Sequence, residues 1–354
     1  MKMRVARRGP PVAFYAVLAR PRLLFAALSL LAGACATRTR VVEPAGEQDH
    51  YLALPTDWSV GSGHRYRATW TREAAPGPSL PGGNELAQGL RGEVTGEVVV
   101  TVLEQTATGY VLRWEPTLSP SSSPSSGANG VAEAGAALWR YQLGLPLGLE
   151  LDLDDPGAPF VLRNQAQVTR LVRSEFARLV GALGLGAPCE GADAGGYACT
   201  LFGSPQGTML FVDHYVGAFF GCAGLEVDPR RPLTWSAPHP NPDIGEAVPI
   251  DYRREVVGFV PGSPSVRTRT AWEPNPDKWS SWMKREMGKI PGLSEPLAEQ
   301  LGAMRYSAET DCLMDVHTGW PIVIEHRASG GAEALSGADI KRFERIDPEA
   351  APRR

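Results

Sequence analysis

The five cysteines are the residues whose chemistry depends most clearly on their position in this sequence. Cys35 stands apart, because it follows a basic segment, an apolar run over 23–31 and the small residues Ala-Gly-Ala. This order is typical of a lipoprotein export signal, in which residues 1–34 are removed and the cysteine carries lipid. The apolar run has about half the length that a membrane-spanning helix needs. We therefore expect Cys35 to be a lipid anchor. Cleavage at an overlapping A-x-A sequence, with secretion to the periplasm, is the alternative.

The other four cysteines, Cys189, Cys199, Cys222 and Cys312, form an even set in a compartment that permits disulfides. Four cysteines allow three pairings. Cys189 and Cys199 bracket a loop rich in Gly and Ala that has little else to order it, so we predict the pairs Cys189–Cys199 and Cys222–Cys312. A metal site would need closely spaced Cys or His ligands, and the sequence contains no C-x-x-C. We predict no metal.

Two carboxylate–histidine neighbours and one acidic run are the remaining places where side chains could do chemistry. Asp213 and His214 fall in a segment predicted as a strand, where adjacent side chains point to opposite faces. Asp315 and His317 lie beside a turn, and the acidic residues of 152–155 lack the spacing of an EF-hand loop. The sequence also lacks the G-x-S-x-G, H-E-x-x-H and P-loop motifs. We predict no catalytic residue and no cofactor.

Charge narrows the classes of partner. The signal holds six basic residues and no acidic one, so the chain from Cys35 onward has 29 Lys and Arg against 39 Asp and Glu, a net charge of −10. This balance disfavours a nucleic-acid partner and adsorption to anionic lipid. Membrane attachment would therefore depend on the acyl chains of Cys35. Each CH₂ of these chains that is buried in the bilayer contributes about 0.8 kcal/mol to the free energy of binding.

Alternation of apolar and polar residues is the dominant pattern after residue 57, and it predicts antiparallel strands. In the segment 64–70, for example, Tyr66, Ala68 and Trp70 alternate with polar residues. The strands predicted in this way cover 64–70, 93–104, 110–115, 147–153, 160–163, 209–220, 252–260, 265–272, 303–316, 320–327 and 340–346.

Two segments, 168–183 and 277–289, have the period of a helix instead, with Asn164 placed to cap the first of them. Each helix and each strand has a single apolar face, and packing helix on sheet buries both. The sequence therefore predicts an α+β fold: a mainly antiparallel, strongly curved β-sheet, as a half-barrel or barrel, packed on two or three helices. The 168–183 helix is expected on the concave face. A β-sandwich is the alternative.

The chain is expected to contain one folded domain, over 57–347. Residues 35–56 are polar and aperiodic, which is typical of a tether. The segment near 116–136 is rich in Ser and Pro and is predicted to be a disordered loop, and 348–354 to be a disordered tail.

Tryptophans on the apolar faces are the candidate ligand-binding residues. Trp70, Trp114, Trp279 and Trp282 lie at positions that either fill a core or line a hydrophobic site. We predict them as possible apolar-surface residues.

Two turns carry a resemblance to known proteins. One is 151–164, where a strand, an Asp-Pro-Gly turn and a returning strand lead into a helix; the other is 315–322, with its Thr-Gly turn. Both resemble patterns in uncharacterised exported bacterial lipoproteins, and both are similar to the half-barrel folds of periplasmic lipoprotein carriers. The resemblance implies a curved antiparallel sheet that wraps helices, and it carries over no functional residue.

These observations predict a non-enzymatic envelope lipoprotein that binds a lipid or another hydrophobic or envelope partner. Ala36 and Thr37, rather than Asp, follow Cys35, which by resemblance to enterobacterial lipoproteins implies the outer membrane. The alternative is an envelope hydrolase whose histidine and carboxylate meet only in the fold. A hydrolase would place such a pair in a cleft, whereas a carrier would offer an apolar site with few polar groups.

Overall fold

The computed structural model describes residues 52–53, 58–74, 92–117, 148–154, 160–182, 204–222, 226–238, 249–276, 278–281, 305–331 and 337–346. Its strands are β1 (Leu52–Ala53), β2 (Gly63–Ala74), β3 (Gly92–Gln105), β4 (Tyr110–Thr117), β5 (Leu149–Leu153), β6 (Val161–Leu162), β7 (Glu226–Val227), β8 (Leu233–Pro238), β9 (Pro249–Phe259), β10 (Ser265–Pro274), β11 (Arg305–Asp315), β12 (Pro321–Gly331) and β13 (Gly337–Ile346). Its helices are α1 (Gln165–Ala182) and α2 (Pro205–Phe220).

One antiparallel sheet dominates the described residues. Its 11 strands follow the order β6-β5-β4-β3-β2-β13-β12-β11-β10-β9-β8, and β1 pairs separately with β7. The predicted antiparallel sheet is therefore confirmed. Its closed-barrel form is wrong, since β6 and β8 remain as edges of the described sheet. Closure needs continuous pairing between the first and last strands, and β6 has only 2 residues to offer.

Alternation gives the sheet one apolar face and one polar face. On β5, Leu149, Leu151 and Leu153 are buried while Glu150 and Asp152 lie on the other side. We call the apolar side the inner face. The outer face carries cross-strand ion pairs such as Arg342–Glu325 at 3.1 Å and Arg327–Glu73 at 2.7 Å. Exposed pairs of this kind contribute little to stability, but they identify the solvated face.

The strand predicted over 209–220 is wrong, because these residues belong to α2. Four buried side chains of α2 are spaced three or four residues apart, which is the spacing of one helix face: Thr208, Val212, Val216 and Phe219. The helix starts where the backbone N–H of Thr208 donates to the carbonyl of Ser204 at 3.0 Å, and Pro205 suits its first turn. A short apolar run does not distinguish a strand from a buried helix, so the Ser-Pro start was the better signal.

Side chains from both helices belong to the same hydrophobic cluster as the strands. Val168 and Val172 of α1 are fully buried within it. The ring of Phe219 on α2 meets the rings of Tyr66 and Trp114 edge-on, with centroids 4.9 and 5.2 Å away. Aromatic pairs favour this arrangement. Neither helix combines the length and apolar character that crossing a bilayer requires, within the residues the structure describes.

Asn164 ties α1 to the sheet with its side chain. Its Oδ1 accepts a hydrogen bond from the backbone N–H of Glu150 at 3.1 Å, and its Nδ2 donates to the carbonyl of Gly148 at 2.8 Å. Only its backbone carbonyl serves the helix, accepting from the N–H of Val168 at 3.1 Å. The expected side-chain cap is thus replaced by an anchor to the start of β5.

Several predictions fall wholly or partly outside the described residues. The signal, the tether up to Tyr51 and the tail after Ile346 lie outside them, as does the predicted loop beyond Thr117, where β4 ends. At the helix predicted over 277–289, the backbone N–H of Trp279 donates to the carbonyl of Asn275 at 2.9 Å. Residues 282–304 are not described.

Candidate functional site

The tryptophans predicted as possible apolar-surface residues are buried wherever the structure describes them. Trp70, Trp114 and Trp279 have exposed fractions of 1%, 0% and 8%. Trp114 packs among Phe219, Phe220 and Phe343 in the cluster shared with the helices. Trp279 lies elsewhere, with its ring 6.2 Å from that of Tyr306. The three therefore form no single surface, and Trp282 lies outside the described residues.

Of the cysteines, the structure describes one pair. Cys222, just after α2, and Cys312 on β11 lie at disulfide distance, with Cα atoms 6.1 Å apart. This is one of the two predicted pairs. Cys35, Cys189 and Cys199 lie outside the described residues. Because Cys312 is on the inner face, a bridge here fastens the end of α2 onto the middle of the sheet.

The earlier acid–base and calcium candidates have structural partners. Asp315 Oδ1 accepts a hydrogen bond from the backbone N–H of His317 at 2.9 Å, which holds the turn. Asp152 pairs with Arg163 at 3.0 Å on the outer face. Asp213 now stands on a helix, and the side chain of His214 is not described. No cluster of three or more potential metal ligands occurs among the described residues.

A row of polar side chains crosses the inner face of the sheet, and the sequence reasoning missed it. Five residues stand directly opposite one another on neighbouring strands from β13 to β9, and we call them the polar row: Lys341, His326, Thr310, Thr270 and Arg254. All but Thr270 are buried, with Lys341 2% exposed and Arg254 8% exposed. Such a row is unusual on the covered face of a sheet, where charged residues are seldom buried.

The polar row separates two hydrophobic clusters. On one side lies the large cluster that includes both helices and the inner residues of β2 to β5. On the other side lies a smaller one, which we call the aromatic cluster: Ile250, Tyr252, Trp272, Ala308 and Ala328, with Trp235 and Tyr306 packed against them. Trp235 and Tyr252 stack with centroids 5.0 Å apart. Among the side chains that the structure describes, none of α1 or α2 belongs to the aromatic cluster.

Hydrogen bonds and aromatic rings hold the polar row. Thr310 Oγ1 and His326 Nδ1 are 2.8 Å apart, and Arg254 Nε donates to Thr270 Oγ1 at 3.2 Å. At one end the Lys341 ammonium lies 5.1 Å from the centre of the Trp70 ring. At the other end the Arg254 guanidinium lies 5.1 Å from that of Trp235. Each cation is thus placed over an aromatic face, an arrangement that is stronger when water is excluded.

Burial lowers the pKa of two residues in the polar row. It lowers the pKa of Lys341 to about 8, although the carboxylates of Asp339 and of Asp213 on α2 act in the opposite direction. Burial, together with the positive charge of Lys341, lowers the pKa of His326 to about 3. At neutral pH the row therefore holds two cations, Lys341 and Arg254, and a neutral imidazole.

This arrangement suits binding of an anion better than proton transfer. A histidine with so low a pKa stays neutral through the physiological range, where a general base is most effective with a pKa near the working pH. Lys341 at one end of the polar row and Arg254 at the other, four strand spacings away, each provide a positive charge beside an aromatic ring. Ligand sites commonly combine an apolar lining with a few convergent polar groups. The hydrolase alternative stays an untested prediction.

Comparisons with known proteins assign the chain to no family. No family model matches the chain, and no curated protein matches it. Among solved structures, the chain is similar to one titled "Lipid-protein interactions in lipovitellin", with 10% identity and a TM-score of 0.36. The match covers 84% of this chain and only 26% of the other. A TM-score this low establishes neither a shared fold nor a shared function.

Proposed function

We propose that the protein is a lipid-anchored envelope protein that binds an amphipathic lipid with an acidic headgroup on the inner face of its sheet. The observation that carries this proposal is the pair of cations, Lys341 and Arg254, buried at the two ends of the polar row beside the aromatic cluster. The protein would hold the lipid without transforming it.

Burying the two cations costs free energy. Moving an ammonium or guanidinium out of water is expensive unless nearby groups compensate for the lost hydration. Burial lowers the pKa of Lys341 although the carboxylates of Asp339 and Asp213 raise it, so the effect of desolvation outweighs these two charges. A carboxylate or phosphate bound beside Lys341 or Arg254 would reduce this cost through charge-assisted hydrogen bonds. The bound ligand would then offset the desolvation free energy of the cations that bind it.

The aromatic cluster would receive the apolar part of the ligand. It borders the polar row directly, since Tyr252 and Arg254 are successive inner-face residues of β9 and Ala308 and Thr310 are successive on β11. Trp235 and Tyr306 are only partly buried, so the cluster is accessible along that side. The helices would cover the other cluster on the concave side of the sheet and leave this one for the ligand.

The anchor is the second part of the proposal. Cys35 would attach the mature chain to the outer membrane, next to its source of lipid. Cys35→Ser should move the protein from the membrane fraction to the soluble fraction of the envelope. A variant that remained with the membrane after a high-salt wash would contradict the anchor, although not the inner-face site.

A pair of probes with the same chain tests the inner-face site. The mature, unlipidated Cys35→Ser protein should bind a long-chain fatty acid at least tenfold more tightly than the alcohol of equal length, because only the acid carries a headgroup charge. Because four strand spacings, about 19 Å, separate the two cations, one headgroup contacts only one of them, and at least one of Lys341→Met and Arg254→Met should remove most of this preference. Titration calorimetry measures the affinities.

Arg342→Met is the matched control. Arg342 follows Lys341 in sequence but lies exposed on the outer face, paired with Glu325 at 3.1 Å. It should leave both affinities unchanged. Equal binding of acid and alcohol by the Cys35→Ser protein would contradict the proposal, and so would an equal loss of preference in the Arg342 variant. Circular dichroism of each variant separates lost binding from lost folding.

A further inference from the structure

All the large hydrophobic side chains that are exposed among the described residues lie at one end of the sheet. They are Val60, Leu103, Val161, Val257, Phe259 and Val260, with exposed fractions between 38% and 61%. Single exposed apolar residues are normal on a protein surface, but their confinement to one region points to an interaction site.

The register of the sheet places them together. Phe259 pairs with Val266 near the start of β10, and Ser265 pairs with Asp315 at the end of β11. The same end continues through the start of β12, the end of β13 and the start of β2, where Gly63 pairs with Thr101 near the end of β3. It reaches β5 and β6 through the pairs Tyr110↔Leu153 and Asp152↔Val161. We call this the apolar end.

Four of the turns at the apolar end contain no Asp, Glu, Lys or Arg. The four described turns, 59–62, 105–109, 260–264 and 316–319, consist of Ser, Thr, Gly, Pro, Ala, Val, Gln and one His. Charged side chains stand beside these turns, at Glu104, Asp315 and the exposed Asp154, whose carboxylate accepts a hydrogen bond from Thr108 Oγ1 at 3.3 Å. The four neutral turns can contact an apolar phase while these neighbouring charges stay in water.

The chain also enters the sheet at this end. Trp58 lies five residues before β2 and packs on Trp320 and Tyr110, with ring centroids 4.7 and 5.4 Å away. Both partners stand at the apolar end, beside the starts of β12 and β4. The described chain therefore leads into β2 from the apolar end.

We infer that the apolar end rests on the surface of a lipid bilayer, inserting Val257, Phe259 and Val260 on one side and Val60, Leu103 and Val161 on the other. The first group lies on β9 and its turn. Val60 lies just before β2, five strand spacings or about 24 Å away along the sheet, Leu103 lies on β3, and Val161 lies on β6, nine spacings from β9. Contacts this far apart at one end suit a flat membrane better than a peptide groove. The inference goes beyond the lipid-binding site proposed above and does not depend on it.

Vesicle binding without the anchor tests the inference. The Cys35→Ser mature protein should co-sediment with vesicles of phosphatidylcholine, and equally at low salt and in 0.5 M NaCl (about 4 Å Debye length), because the contact is apolar. The triple variant Val257→Ser, Phe259→Ser, Val260→Ser should bind at least tenfold more weakly. Arg253→Ser, an exposed substitution on the same strand, is the control and should bind as before.

Three results would overturn the inference. The first is unchanged vesicle binding by the triple variant. The second is binding that disappears in 0.5 M NaCl, which would indicate an electrostatic contact. The third is a triple variant that changes from dimer to monomer in analytical ultracentrifugation while its vesicle binding stays the same, which would assign this end to a second copy of the chain. Lys341→Met should not change co-sedimentation, so failure of the inner-face site and failure of the apolar end are distinguishable.

Discussion

At the scale of single residues, the informative side chains are polar ones at positions where the strand pattern calls for apolar ones. Lys341 shares its face with buried Phe343, and His326 shares its face with buried Ile324. This parity is visible in the sequence, because residues two apart in a strand lie on the same face. Neighbouring His and Asp residues were less informative, because Asp315 holds a turn through the backbone of His317 and Asp213 lies on a helix. Inward polar residues were the signal that could have identified the site.

His326 predicts a loss of stability in acid. Its pKa is about 3 in the folded protein and about 6.5 in an unfolded chain, so between these values only the unfolded state takes up the proton. The free energy of unfolding should then fall as pH drops from 6.5 towards 3, by up to about 1.4 kcal/mol per pH unit. His326→Asn should remove this part of the loss. Urea unfolding at pH 7 and pH 4.5 measures it.

His317→Asn, in the exposed turn, serves as the control for that measurement. It should keep the full acid sensitivity of the wild-type protein, whereas His326→Asn should lose less stability over the same interval. If the two variants show the same dependence on pH, His326 is not buried in its neutral form.

At the scale of elements, the sequence predicts which side of most strands is apolar, but it does not predict which strands pair with one another. Alternation identified β2, β4, β5, β10 and β12 because each has one apolar face. The polar row depends on register, which aligns Arg254 with Lys341 across three intervening strands. Register follows from pairings between distant segments, and no local pattern contains it. The prediction of a strand in place of α2 had another cause. The apolar residues of this segment fit the period of a strand as well as that of a helix.

The Cys222–Cys312 pair predicts how strongly α2 is held to the sheet. The sequence separation is 90 residues, and a loop of that size stabilises the folded state by roughly 4.6 kcal/mol in the chain-entropy model. Cys222→Ala with Cys312→Ala should lower the free energy of unfolding by an amount of this order, measured by denaturant unfolding without reductant. Peptide mapping under non-reducing conditions should recover the linked peptides. A Cys199–Cys312 peptide would contradict the pairing.

At the scale of the whole molecule, the two described helices pack against only part of the sheet. They share a cluster with one half of the inner face, and the aromatic cluster lies beyond the polar row on the other half. The two surfaces proposed here have separate roles: the inner face would hold the lipid, and the apolar end would set the domain against the membrane. The sequence predicted a binding surface because of its anchor signal, its aromatic-rich strands and its lack of catalytic motifs.

The measurement that tests the central claim most directly is native mass spectrometry of the mature protein purified from its own membrane. We predict a population that carries one non-covalent acidic lipid, in addition to any acyl chains on Cys35, and its loss in at least one of the Lys341→Met and Arg254→Met variants but not in Arg342→Met. A wild-type protein that appears bare, or whose bound lipid persists in both inner-face variants, would contradict the account.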